Sequence, residues 1–289
     1  TPYTTPSAPT ITSITPTDST LTINFTAASN GGSAILDYEY SLDGGATWTA
    51  SADLLSPIVV TGLTNGTSYN VRIRAVNVAG AGTSTATTAA TPYTTPGAPT
   101  ITSISSGNSS LTVAFTAGSN AGANVTNYQY STNGGTTWVS AGTTTSPFTI
   151  TGLTNGTSYT VAIRAANAGG AGASSASRTA TPFTTPDAPT ISSITSGNGQ
   201  LTVVFTAPAF NGGSAITNYR YSTNGGTSWT TAGTTVSPIT ITGLTNGTSY
   251  NVQIQAVNAA GNGLASATTA ATPYTTPSAP TITSITPTD

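Results

Sequence analysis

Apolar and polar residues alternate along the chain. In Leu21-Thr22-Ile23-Asn24-Phe25-Thr26 they exchange at every step, and Tyr69, Val71, Ile73 and Ala75 alternate with Asn70, Arg72, Arg74 and Val76. A period of two puts the apolar side chains on one face of an extended strand, so both segments predict half-buried β-strands. Pro9–Ile14 predicts a short first strand, and Ser29–Ser33 a loop. Tyr38 and Tyr40 alternate with Asp37 and Glu39 in a third strand, and Pro57–Thr61 predicts another. Asp43-Gly44, ahead of Thr47-Trp48-Thr49, predicts a tight primed hairpin turn. The turn recurs at Asn133-Gly134 and Asn224-Gly225, before Trp138 and Trp229. A closing Thr/Ala strand runs from Gly82 to Ala90. Seven short strands punctuated by turns predict an all-β sandwich.

The pattern repeats. TPYTTPSAPTI at Thr1 returns as TPYTTPGAPTI at Thr91, TPFTTPDAPTI at Thr181 and TPYTTPSAPTI at Thr272. GLTNGTSY begins at Gly62, Gly152 and Gly243. The one inserted residue of the third unit falls near Phe210, where a surface loop absorbs it. This divides the chain into a linker at 1–6 and domains at 7–92, 97–182 and 187–273. Residues 274–289 are a linker and the first strand of a further repeat, identical to 3–18. Such periodicity predicts a segment of something longer, starting at Thr1 without a Met and showing no signal peptide.

The segment from Gly62 to Gly82 (GLTNGTSYNVRIRAVNVAGAG) resembles the second half of a fibronectin type III domain. That family shows a leucine, a tyrosine-corner Tyr, and then a Val-x-Val-x-Ala-x-Asn-x-x-Gly-x-Gly run. The motif recurs around Tyr159 and Tyr250, so the resemblance covers essentially the whole chain three times. It implies three tandem seven-stranded immunoglobulin-like sandwiches, with the rings of Tyr69, Tyr159 and Tyr250 in the core and each hydroxyl on an upstream backbone group. The family's usual Trp of the second strand is Phe25, Phe115 or Phe205 here, which still fills a core. No Arg-Gly-Asp tripeptide occurs, so animal-type integrin binding is not implied. The glycine-rich YSxxGGxTW hairpin resembles bacterial versions of the module.

Between units the sequence reads Ala-Thr-Pro-Tyr/Phe-Thr-Thr-Pro-x-Ala-Pro. Its prolines fix φ repeatedly and predict short, stiff, extended joints, and hence a rod. One position is always aromatic: Tyr3, Tyr93, Phe183 and Tyr274 are candidate wedges between domains or covers of their own domain's rim.

Composition narrows the chemistry. Charged residues are 4% of the chain, with five arginines, no lysine and a net charge of −2. Cations this sparse predict no nucleic-acid partner. No apolar run approaches the roughly 18 residues that read as a membrane span. His, Cys and Met are absent, which removes imidazole and thiolate catalysis and disulfides. The second unit has no Asp or Glu and the third has only Asp187, so general acid–base catalysis lacks its groups and calcium its carboxylates. We therefore expect no catalytic residue, no metal and no cofactor. Asp37 and Glu39 are expected to oppose Arg72 and Arg74 as exposed cross-strand pairs. Trp48, Trp138 and Trp229 are candidates for surface contacts or for stacking on sugar rings. Asn24, Asn65, Asn108, Asn124, Asn155 and Asn246 each begin an Asn-x-Ser/Thr triplet.

These observations lead to a non-enzymatic, extracellular, cell-surface structural protein: a segment of a long microbial fibre, filament or adhesin stalk. It would self-assemble or continue in a longer chain of identical repeats. The alternative is a spacer or carbohydrate-binding region of a secreted polysaccharide-active enzyme, with surface or matrix polysaccharide as partner.

Overall fold

A computed structural model describes residues 2–286, all of it β-structure and loops. The first repeat builds β1 (Thr10–Thr17), β2 (Thr20–Thr26), β3 (Asp37–Ser41), β4 (Thr49–Ala50), β5 (Ile58–Val60), β6 (Tyr69–Asn77), β7 (Gly80–Ala81) and β8 (Thr88–Ala90). One sheet has the order β1-β2-β5; the other runs β4-β3-β6-β7, with β8 also paired to β6. The second repeat supplies β9 (Thr100–Gly107), β10 (Ser110–Thr116), β11 (Asn127–Ser131), β12 (Val139–Ser140), β13 (Phe148–Thr151), β14 (Tyr159–Asn167), β15 (Gly170–Ser174) and β16 (Arg178–Ala180). The third supplies β17 (Thr190–Gly197), β18 (Gln200–Thr206), β19 (Asn218–Ser222), β20 (Thr230–Thr231), β21 (Ile239–Thr242), β22 (Tyr250–Asn258), β23 (Gly261–Ala265) and β24 (Thr269–Ala271). All three repeats share one pairing plan.

By contact density the chain divides into two compact units. Among the described residues, one comprises 2–104, 113–148 and 160–179, the other 105–112, 149–159 and 180–286.

The alternation of the sequence is the alternation of the core. Leu21, Ile23 and Phe25 of β2 and Val71, Ile73 and Ala75 of β6 are buried, and they meet Tyr38, Ile58 and Val60. Each fully buried Leu or Ile contributes about 1.5–3 kcal/mol. Phe25 packs on Tyr38 with ring centroids 4.6 Å apart, as Phe205 does on Tyr219, so Phe fills the place of the family's tryptophan. Burial pushes the Tyr219 hydroxyl above its ordinary pKa.

Three local expectations are corrected. Asp43-Gly44 does not form a two-residue hairpin, because β3 and β4 pair as Glu39↔Ala50 and Tyr40↔Thr49 around a longer loop. The Asp43 carboxylate holds that loop by accepting from the Thr47 hydroxyl (2.6 Å), the Thr47 N–H (2.9 Å) and the Ser41 hydroxyl (2.7 Å). Of the closing strand expected over Gly82–Ala90 only β8 is strand, and β7 lies just ahead of it. Between them buried Thr85 turns inward, and its hydroxyl accepts the Ile73 N–H at 3.1 Å. Asp37 does not face an arginine either, for the antiparallel register pairs Glu39 with Arg74, Asp37 with Val76 and Ser41 with Arg72. Glu39 and Arg74 form an ion pair at 2.6 Å. Asp37 instead accepts the Ala52 N–H at 3.0 Å, and Arg72 donates to the carbonyls of Thr85 and Gly44.

Candidate functional site: the joints between repeats

The linkers are stapled on both sides. In the first unit, the Gly66 N–H donates to Pro92 O at 2.9 Å and the Tyr93 N–H to Thr17 O at 3.3 Å, so both bonds tie the linker to the repeat before it. The next residue turns the other way. The Thr94 N–H donates to Ala121 O at 3.0 Å, and Thr94 O accepts from Asn167 Nδ2 at 2.9 Å. The second unit repeats the plan. Gly156 N–H reaches Pro182 O at 2.9 Å, Phe183 N–H reaches Gly107 O at 3.2 Å, and Thr184 N–H reaches Gly212 O at 2.7 Å. Thr184 O accepts from Asn258 Nδ2 at 2.7 Å.

The asparagine at the end of each long strand organises the joint. Asn77, Asn167 and Asn258 are the last residues of β6, β14 and β22, at the inward-facing parity, and all three are buried. Asn167 Nδ2 donates to both Thr94 O and Asn120 O at 2.9 Å, while Oδ1 accepts the Gly169 N–H at 2.8 Å. A buried amide with these bonds made fixes the linker against the loop of residues 120–123, the bonds offsetting the cost of burying it. Asn77 holds Thr4 O and Asn30 O in the same way, each at 2.8 Å. Sequence reasoning passed over these asparagines. The available signal was a polar side chain at a core-facing position of an otherwise apolar alternation.

Glycines let the backbones meet. Gly122, at φ +94°, would place a Cβ 2.5 Å from Gly66 N and 2.6 Å from Pro92 O. Gly213 stands in the same relation to Gly156 in the second unit. A Cβ on Gly82, Gly172 or Gly263 would collide with the carbonyl oxygen of Pro6, Pro96 or Pro186. That close approach gives the terminal Gly of the Asn-x-x-Gly-x-Gly run its physical reason.

The candidate wedges differ in setting. Tyr93 and Phe183 are half-buried, and Tyr93 lines a groove with Thr17, Asp18, Ala168 and Gly169. Tyr3 and Tyr274 are 57% and 63% exposed. The tyrosines of the long strands lie with their hydroxyls accepting the N–H five residues upstream: Tyr69 from Thr64 and Tyr159 from Thr154 at 3.0 Å, and Tyr250 from Thr245 at 2.9 Å. The rings of Tyr69 and Tyr250 pack against the cores of their own repeats.

Comparison with known families agrees with this geometry. The model of the fibronectin type III domain matches residues 5–91, 95–181 and 185–272.

The chain belongs to the fibronectin type III family.

Among solved structures, one that it matches is the crystal structure of the chicken CNTN1 FN1–FN3 domains, at 18% identity and a TM-score of 0.37, covering 93% of this chain and 98% of that one. No curated protein matches it.

The tryptophans lie on the loops following the third strand of each fibronectin type III domain. Arg74 stacks over Trp48 at 4.2 Å and Arg164 over Trp138 at 4.3 Å, so one face of each ring is taken by a cation. In the third domain Gln255 stands where Arg74 and Arg164 stand, and Arg220 donates to the Trp229 carbonyl at 3.3 Å. Asp187 sits at the start of its domain, its N–H on Phe210 O. Among the described residues no group of three or more Asp or Glu gathers, and no helix is long and apolar enough to cross a membrane.

Proposed function

We propose that these three fibronectin type III domains are a non-enzymatic segment of a long extracellular microbial fibre, filament or adhesin stalk, in which the repeat continues beyond Tyr274. The observation that carries this reading is the recurrence of one joint. The same backbone bonds, the same clamping asparagine and the same facing glycines occur at both joints, around Tyr93 and around Phe183. A linker secured to both neighbours transmits tension from one β-sandwich to the next through hydrogen bonds and the covalent chain together. A flexible tether would transmit it through the chain alone. Residues 272–289 repeat in sequence residues 1–18, which form the linker and β1 of the first domain. Gly247, the counterpart of Gly66 and Gly156, has nothing within 4 Å of its Cβ direction and is open to a further domain of that kind.

Electron microscopy of the native material tests this. Filaments whose axial repeat is a multiple of one domain support it; isolated globular particles of this chain refute it. The second reading, a carbohydrate-contacting spacer of a secreted enzyme, draws on Trp229, beside which Gln255 replaces the stacking arginine. A glycan pull-down that Trp229→Ala leaves unchanged removes that reading.

A further inference from the structure

The structure separates the six Asn-x-Ser/Thr triplets. Asn65, Asn155 and Asn246 use both amide atoms to brace their loops. Each Oδ1 accepts a backbone N–H, from Ser19, Ser109 and Gly199 respectively. Each Nδ2 donates at 2.7 Å, to Asp18, Asn108 and Asn198. Asn24 is half-buried within β2, with Nδ2 on Ser13 Oγ at 3.0 Å. Asn108 lies in the tight turn between β9 and β10, ahead of Ser109 at φ +50°, and its Oδ1 receives Asn155.

Asn124 is different. It is exposed, and its side chain makes no hydrogen bond to any described residue. It sits on the coil Asn124-Val125-Thr126 leading into β11, two residues past the Gly122 of the joint. The repeats supply an internal comparison, since Ala34 and Ala215 occupy this position in the other two domains. The middle domain thus departs from its siblings at a solvent-facing position, and the departure creates a complete triplet.

We propose that Asn124 is the acceptor for an N-linked oligosaccharide in the folded chain. The amide nitrogen Nδ2 attacks C1 of the reducing-end sugar of a polyprenyl-diphosphate-linked oligosaccharide. The N–C1 bond forms and the C1–O bond to diphosphate breaks. The lipid diphosphate leaves with the electron pair, and the nitrogen gives up one proton to the transferase. The chain supplies an unengaged amide, a backbone outside the strands, and the Thr126 hydroxyl at the third position. That hydroxyl is held by a single 3.2 Å bond to Ala166 O, which a transferase can replace with its own. At Asn65, Asn155 and Asn246 the amide is already committed to its loop.

In life the modification rests on the extracellular reading above, since the chain must meet a glycosylating compartment; competence of the acceptor does not. The test is to incubate the folded full-length chain with purified oligosaccharyltransferase and a lipid-linked oligosaccharide, followed by intact mass and peptide mapping. We expect one adduct, carried by the peptide containing Asn124 and absent from Asn124→Gln. Ala215→Asn creates Asn-Ile-Thr in the matching coil of the third domain, where the Thr217 hydroxyl holds Val257 O at 3.3 Å, and should add a second adduct. A folded chain left bare at Asn124, or modified equally at Asn65, Asn155 or Asn246, would overturn the proposal. Native material bare at an Asn124 that is modified in vitro would place the fault in the chain's route, not in the acceptor.

Discussion

Replacing Asn167 by alanine removes the clamp of the first joint without touching the apolar core. Asn167 is 7% exposed and makes three short hydrogen bonds, two donated at 2.9 Å and one accepted at 2.8 Å, besides a long one from Nδ2 to Ala123 O at 3.5 Å. At about 1 kcal/mol net for each short bond, the change costs about 3 kcal/mol. The carbonyls of Thr94 and Asn120 lose their donor, but these residues are half-buried and exposed, so water replaces part of the loss and the total stays near that figure. Since 1.4 kcal/mol is a factor of ten, local opening should become about a hundredfold more frequent. Amide hydrogen exchange resolved by residue reads this directly. The Thr94 and Gly169 amides should exchange about a hundredfold faster, while Leu21 in the core of the first domain is unchanged. Asn167→Asp sharpens the test, because its carboxylate still accepts from Gly169 but has no donor for the two carbonyls. It should release Thr94 and spare Gly169. Acceleration of less than threefold at Thr94 in Asn167→Ala would refute the clamp.

The remaining predictions concern the glycines and the acid response. Gly122→Ala forces a Cβ against Gly66 N and Pro92 O and should expose the Gly66 amide to exchange, whereas Gly247→Ala, in open space, should carry only the roughly 1–2 kcal/mol of left-handed strain. Equal effects of the two would show that the facing glycines are not in contact. Hydrogen bonds from the Thr47 hydroxyl and N–H, with one from Ser41, hold the Asp43 carboxyl well below the usual carboxylate range. A carboxylate depressed in the folded state contributes stability that is complete above its unfolded pKa of about 3.9 and is lost as pH falls below that value. Acid titration followed by tryptophan fluorescence should therefore show the first domain loosening below about pH 4. Asp43→Asn, the residue found at Asn133 and Asn224, should flatten that response. An unchanged acid limb would remove Asp43 as its source.

Much of the fold was legible because period-two alternation and burial are the same fact seen twice. Leu21, Ile23 and Phe25 read as inward-facing from spacing alone and are buried in the structure. The misread turn at Asp43-Gly44 shows the limit of dipeptide rules. The loop is closed by a carboxylate reaching Thr47 four residues on, and spacing does not reveal which side chain will cap a loop. The shortening of the closing strand depends on Thr85 turning inward to meet Ile73, a contact between segments twelve residues apart. Proline content marked the linker, but its fastening is long-range: Asn167 reaches Thr94 across 73 residues. Repetition made the joint visible as a unit of sequence, and only the packing showed which residue closes it.

Residue-resolved hydrogen exchange at three of the homologous linker threonines tests the stapled joint most directly. Thr94 and Thr184 donate to Ala121 and Gly212, whereas Thr275 is exposed beyond the last domain. The account predicts that Thr94 and Thr184 are protected to within a small factor of the strand amides and that Thr275 exchanges at the rate of open chain. Equal, rapid exchange at all three would contradict it.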